Sequence, residues 1–99
     1  MISYKIKELR EQAGYSQTQL AKKLDVTRSS VNAWEMGLST PTTQYIVGLT
    51  KLFHVSADYI LGIETDRAIS LRGYSEAEVT LILNLLKYFD DQHKALDSQ

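Results

Sequence analysis

The chain has 99 residues, 43% of them hydrophobic and 23% charged, a net charge of −1 and no cysteine. That length holds one small domain and excludes an appended catalytic domain, and the lack of cysteine excludes a disulfide framework and a thiolate metal site. Charges every few residues in MISYKIKELREQ, and no apolar run of membrane-spanning length, argue against a signal peptide or a membrane anchor and lead us to expect a cytoplasmic protein.

Taken in chain order, Ile6, Leu9 and Ala13 recur at helical spacing, with Ser3 placed as N-cap and Gly14 as a left-handed stop. Ser16 opens a second helix, Gln19 completes its capping box, and Leu20, Ala21 and Leu24 form its inner stripe. Asp25 and Val26 make a short turn, because aspartate tolerates the left-handed conformation better than most residues, and Thr27 caps a third helix through Glu35. Thr40 is placed as the next N-cap and Pro41 as the first helical residue of a fourth helix, whose inward side is Tyr45, Ile46, Leu49, Leu52 and Phe53. His54 leaves that helix, and Ser56 caps a short fifth one ending at Gly62. Ala68–Arg72 alternates in a way compatible with a short strand, and from Ser75, with Glu78 completing another capping box, a sixth helix extends to about Ala95.

The pattern within Gln17–Met36 carries the functional argument. Two short helices crossing steeply need a small residue at their closest approach, here Ala21, and apolar residues on the facing sides, here Leu20, Leu24, Val31 and Trp34, with Val26 plugging the turn. A helix presented in this way fits the major groove of DNA. Its outward residues are Arg28, Ser29, Asn32 and Ala33. Arg28 suits guanine O6 and N7, with a phosphate salt bridge as the rival; Asn32 suits adenine N6 and N7; Ala33 suits a thymine methyl; and Ser29 suits a base or a phosphate. Gln17, Thr27, Ser30, Thr42 and Thr43 are candidates for phosphate, three of them where helix N-termini attract anions, with plain capping as the alternative. The periodicity of Trp34 assigns it to the core rather than to base stacking.

The stretch SQTQLAKKLDVTRSSVNAWEMG, followed by STPTTQYIVGLTKLFHVSADYILG, resembles the Cro/CI-type (Xre-family) helix-turn-helix repressors over residues 3–62. The resemblance rests on Gln17, Leu20-Ala21, Leu24, Val26-Thr27, Trp34-Glu35, Gly37, Pro41 and the closing Asp58-Tyr59-Ile60-Leu61-Gly62. It implies an all-α fold with a five-helix lambda-repressor-like DNA-binding domain at residues 1–63, double-stranded operator DNA as partner, and an Arg10–Glu35 pair tying the first helix to the recognition helix. Asp25 replaces the glycine common in the family's turn, and Leu38 a basic residue that often follows the loop glycine.

The remaining chain reads as a linker or short strand at 64–74 and an oligomerisation helix and tail at 75–99. Residues 1–64 carry a charge of +1 and residues 65–99 one of −2, so a single copy is weakly equipped to hold phosphates and a dimer is expected. Val79, Ile82, Leu86 and Phe89 recur at heptad-like spacing, and Leu83 with other leucines widens the apolar surface beyond one stripe. Such a helix is expected to pack both on its own domain and on a second copy; a protein partner, as for an antitoxin, is the alternative occupant. His54 and His93 lack metal-ligand spacing, Asp90, Asp91 and Asp97 read as a solvated helix end, and no nucleophile or phosphate-loop motif is present, so no metal, cofactor or enzymatic activity is expected.

Overall fold

The computed structural model describes residues 2–97, leaving Met1, Ser98 and Gln99, the outer ends of the two segments expected above, outside the described residues. Along them run α1 (Ile2–Gln12), α2 (Gln17–Leu24), α3 (Arg28–Glu35), α4 (Thr43–Phe53), α5 (Ala57–Leu61) and α6 (Glu76–Asp97), and no strand occurs among the described residues.

Local chemistry sets most of the boundaries. Ser16 accepts from the Gln19 amide while the Gln19 side chain accepts from the Ser16 amide, the reciprocal box that starts α2. Asp25 ends α2 at φ 58°, ψ 48°, and the Val26 amide donates 2.9 Å to the Ala21 carbonyl, which closes the turn. Thr27 then caps α3 by accepting from the Ser30 amide, and Ser56 caps α5 by accepting from Tyr59. Gly14, at φ 77°, and Gly62, at φ 80°, take the left-handed stops expected of them.

Three boundaries differ from the sequence reading. Ser3 lies inside α1 instead of capping it, because Ile2 joins the helix and packs against the core. α4 starts two residues later than expected: Pro41 is buried ahead of the helix, and Thr42 is the N-cap, its carbonyl accepting from the Tyr45 and Ile46 amides. Residues 68–72 form no strand. Their one long-range backbone bond, from the Ser70 amide to the His54 carbonyl at 3.0 Å, docks the segment on the end of α4 and is not part of a ladder.

The core is drawn from the first five helices: Ile6 and Leu9, Leu20 and Ala21, Val31 and Trp34, Leu49 and Phe53, Tyr59 and Ile60. α3 packs on both α1 and α2, and α4 approaches α2 closely enough that a Cβ on Gly48 would lie 3.1 Å from Leu24 Cδ2. α6 stands apart. Its capping box is made, with the Ser75 amide donating to Glu78 Oε1 at 2.8 Å and the Glu78 amide to Ser75 Oγ at 3.1 Å, yet no described side chain on it is buried. Val79 and Ile82 near its start are half-buried and its other described side chains are exposed, so α6 adds no residue to the core that α1 to α5 close. No helix among the described residues is long and apolar enough to cross a membrane.

Candidate nucleic-acid interface

α3 is fixed on its inner side by Val31 and Trp34, both buried, the Trp34 ring lying 5.6 Å from that of Tyr45. At about 100° per residue, this burial turns positions 28, 29, 32 and 33 to the opposite arc. Arg28, Ser29 and Asn32 are exposed and Ala33 is half-buried, so the structure brings all four sequence candidates onto one face. Trp34 is a core residue, as its periodicity required.

The back of the helix is held by charge. Arg10 Nε donates to Glu35 Oε2 at 2.7 Å and Nη2 to Oε1 at 3.0 Å, a bidentate pair in which Arg10 is 12% and Glu35 3% exposed. Arg10 Nη1 also donates 2.8 Å to the Tyr15 carbonyl, at the α1–α2 connection. The hydrogen bond to Glu35, followed by its negative charge and that of Glu11, raises the guanidinium pKa above its ordinary value against the opposing effect of burial. Two helices and the α1–α2 connection are thus tied together through Arg10.

Gln17 joins the same cluster, an arrangement the sequence did not disclose. Its Nε2 lies 3.2 Å from Glu35 Oε1 and 3.2 Å from Asn32 Oδ1. These contacts occupy the Gln17 side-chain nitrogen within the protein, and beside them the first-turn amides of α2 at Gln17 and Thr18 have no acceptor within the helix. The other phosphate candidates are placed variously. Thr27 Oγ1 is engaged in capping and lies 3.0 Å from Ser30 Oγ, whereas Thr42 makes no side-chain capping bond, and both Thr42 and Thr43 are exposed at the start of α4.

On α6, Val79 and Ile82 are half-buried, while Leu83, Leu86 and Phe89 are exposed, Leu86 at 52% and Phe89 at 45%. The connecting segment is clasped to the helical body. Tyr74 Oη lies 2.9 Å from His54 Nε2, and Arg67 Nη1 donates 2.6 Å to Gln12 Oε1 while its guanidinium sits 6.0 Å from the Tyr59 ring centre. These contacts join residues far apart in sequence and have no local signature.

A helix-turn-helix family model, HTH_3, matches residues 6–60. The chain is 36% identical over 58 residues to the HTH-type transcriptional regulator ImmR of Bacillus subtilis, a match covering 59% of this chain and 46% of ImmR, so it spans less than half the length of that relative. Among solved structures, it is similar to SinR of Bacillus subtilis, a master regulator for biofilm formation, in complex with DNA: 34% identity, TM-score 0.57, 62% of this chain and 98% of that one. It is also similar over 100% of both chains to the SinR–SinI complex, at 26% identity and a TM-score of 0.59. With its buried α2–α3 seam, polar outward face and a family match over residues 6–60, the chain belongs to the helix-turn-helix family of Cro/CI (Xre) type, a class of DNA-binding transcriptional regulators and not of enzymes.

Proposed function

We propose that this protein is a sequence-specific repressor that binds double-stranded operator DNA as a homodimer. The carrying observation is the face of α3. Arg28, Ser29 and Asn32 are exposed together on a helix whose other side is locked by Val31, Trp34 and the Arg10–Glu35 pair. Serine and asparagine are poor helix formers, so helix stability does not account for them there. Arg28, Ser29, Asn32 and Ala33 would meet base edges, and Gln17 through its backbone amide, with Thr27, Ser30, Thr42 and Thr43, would meet phosphates. Likeness to DNA-bound SinR supports this reading.

Residues 1–63 would form the DNA-binding unit, 64–74 the linker and 75–99 the oligomerisation segment, all in the cytoplasm. A second α6 would cover Leu83, Leu86 and Phe89, which are exposed, and complete the cover of Val79 and Ile82, which are half-buried. Two-fold pairing sets two recognition helices about 34 Å apart, which requires a pseudo-palindromic site. Selection of bound sequences from random DNA at stated salt tests this reading: an enriched inverted repeat is expected, and its absence overturns the proposal. The bare face of α6 also favours a second reading, a protein partner, supported by likeness to the SinR–SinI complex. Sedimentation of the purified chain separates the two: a dimer favours self-pairing, and a monomer favours the partner.

A further inference from the structure

We infer that the cleft between the end of α4 and the connecting segment is a binding site for a small phosphomonoester, which bridges the two. The inference goes beyond the DNA-binding reading and does not depend on it. The cleft is lined by Thr50, Lys51, His54 and Val55 from the helical body and by Ser70 and Arg72 from the segment, and its volume is about 410 Å³. Ligand pockets run from about 300 to 1,000 Å³, so a phosphate carrying a small organic group fits the space.

Charge sets this cleft apart. Each wall contributes one cation, Lys51 from α4 and Arg72 from the segment; neither pairs with a carboxylate among the described residues, and no Asp or Glu lines the cleft. The bonds that dock the segment, from the Ser70 amide to the His54 carbonyl and between Tyr74 and His54, therefore bring two like charges to one cleft with no counter-charge in its walls. A bound anion replaces that repulsion by two charge-assisted contacts. The carbonyls at the end of α4, which would repel an anion, are already engaged: that of Thr50 accepts from the His54 and Val55 amides, that of His54 from Ser70, and that of Val47 from Thr50 Oγ1 at 2.7 Å. Ser70 Oγ accepts from the Arg72 amide and keeps its own hydrogen to donate, while Val55 adds an apolar wall. A phosphomonoester, with close to two negative charges and three acceptor oxygens, matches two cations and a hydroxyl better than a single carboxylate does. The phosphate candidates for DNA on this helix, Thr42 and Thr43, stand at its opposite end, roughly 15 Å away.

The test titrates inorganic phosphate and phenyl phosphate into the free full chain at one pH, with sodium chloride at matched ionic strength as the comparison, and reads 1H–15N spectra. The amides of Lys51 and His54 on one wall and of Ser70 and Arg72 on the other are expected to shift and saturate with one common dissociation constant for each phosphate probe, and not to do so in chloride. Lys51→Gln and Arg72→Gln should each weaken binding by about tenfold, the loss of one charge-assisted contact, whereas Lys22→Gln on α2, outside the cleft, should leave it unchanged. Both cleft cations are exposed and unpaired, so their variants should keep the fold, which circular dichroism checks. Shifts that grow linearly, or that chloride reproduces, overturn the inference, as does saturation confined to one wall. Binding that survives both variants overturns it too. If neither probe saturates while both variants weaken binding to DNA of every sequence, the two cations serve the nucleic acid and the small-ligand site falls.

Discussion

Replacing Glu35 by glutamine keeps the size of the side chain but strands the Arg10 guanidinium. Exposed ion pairs contribute about 0–1 kcal/mol, whereas removing one partner of a buried pair costs about 3–5 kcal/mol because the remaining charge is left without compensation. The Glu35 side chain is 3% exposed and that of Arg10 12%, with two bonds of 2.7 and 3.0 Å between them, while Glu11 Oε1 lies 3.8 Å from Arg10 Nη2, which places this half-buried pair between the two classes. We expect Glu35→Gln to cost about 2 kcal/mol and, for a domain of this size, to lower Tm by about 8–16 °C. The raised pKa of Arg10 makes its contribution complete below the unfolded value and lost only as pH rises past the folded one. The cost should therefore be the same at pH 6 and pH 9. Urea and thermal unfolding followed by circular dichroism measure it, together with Arg10→Met/Glu35→Leu, in which no charge is stranded and most of the loss should be recovered. A cost below about 1 kcal/mol for Glu35→Gln, or a double variant as unstable as the sum of its singles, would refute the argument.

Other expectations follow from single contacts. Arg28→Ala should lose discrimination at one base position per half-site by about 1–3 kcal/mol; equal loss on cognate and random DNA would reassign the residue to phosphate. Leu38 is 78% exposed in the loop between α3 and α4, so Leu38→Lys should tighten binding to all sequences and steepen the logarithmic salt dependence by about 0.9, read from titrations at several salt concentrations. Deleting residues 75–99 should give a monomer in sedimentation with its five-helix circular dichroism intact, and a persistent dimer would refute the role given to α6. The Ser75 amide, and then the Ser75 side chain, hold the Glu78 carboxyl below its ordinary pKa. That capping contribution is present above the unfolded carboxyl value and lost as pH falls through the lowered one, so the start of α6 should fray as pH falls below the ordinary carboxyl range, and Glu78→Gln should weaken that pH dependence, read by circular dichroism.

The elements legible in the sequence were those settled by neighbours in the chain. Ser16 with Gln19, Asp25 in the left-handed turn and Thr27 before α3 each act across a few residues, and the structure keeps all three. Ser3 and Thr40 have equally good local credentials and fail as caps, because Ile2 and Pro41 are claimed by packing that lies elsewhere in the fold. Alternation in 68–72 was real but had no neighbouring strand to pair with. The apolar width of α6 was legible, but not the fact that five helices close the core without it. At the interface, periodicity sufficed to find the face of Arg28, Ser29 and Asn32. The bond from Gln17 to Asn32 spans fifteen positions and depends on the angle at which two helices meet, which residue types alone do not encode.

The clasp between the connecting segment and the helical body has a kinetic consequence. It consists of a few polar contacts among mostly exposed side chains, from Tyr74 to His54, Arg67 to Gln12 and the Ser70 amide to the His54 carbonyl, with no buried apolar residue among 64–74. Such a segment opens at a small fraction of the free energy needed to unfold the core. Amide hydrogen exchange should accordingly separate into tiers, the Ser70 amide exchanging through frequent local release and those of Leu20 and Leu49 only through global unfolding. A protease acting on the folded protein should cut first between α5 and α6, leaving the recognition helix whole but single.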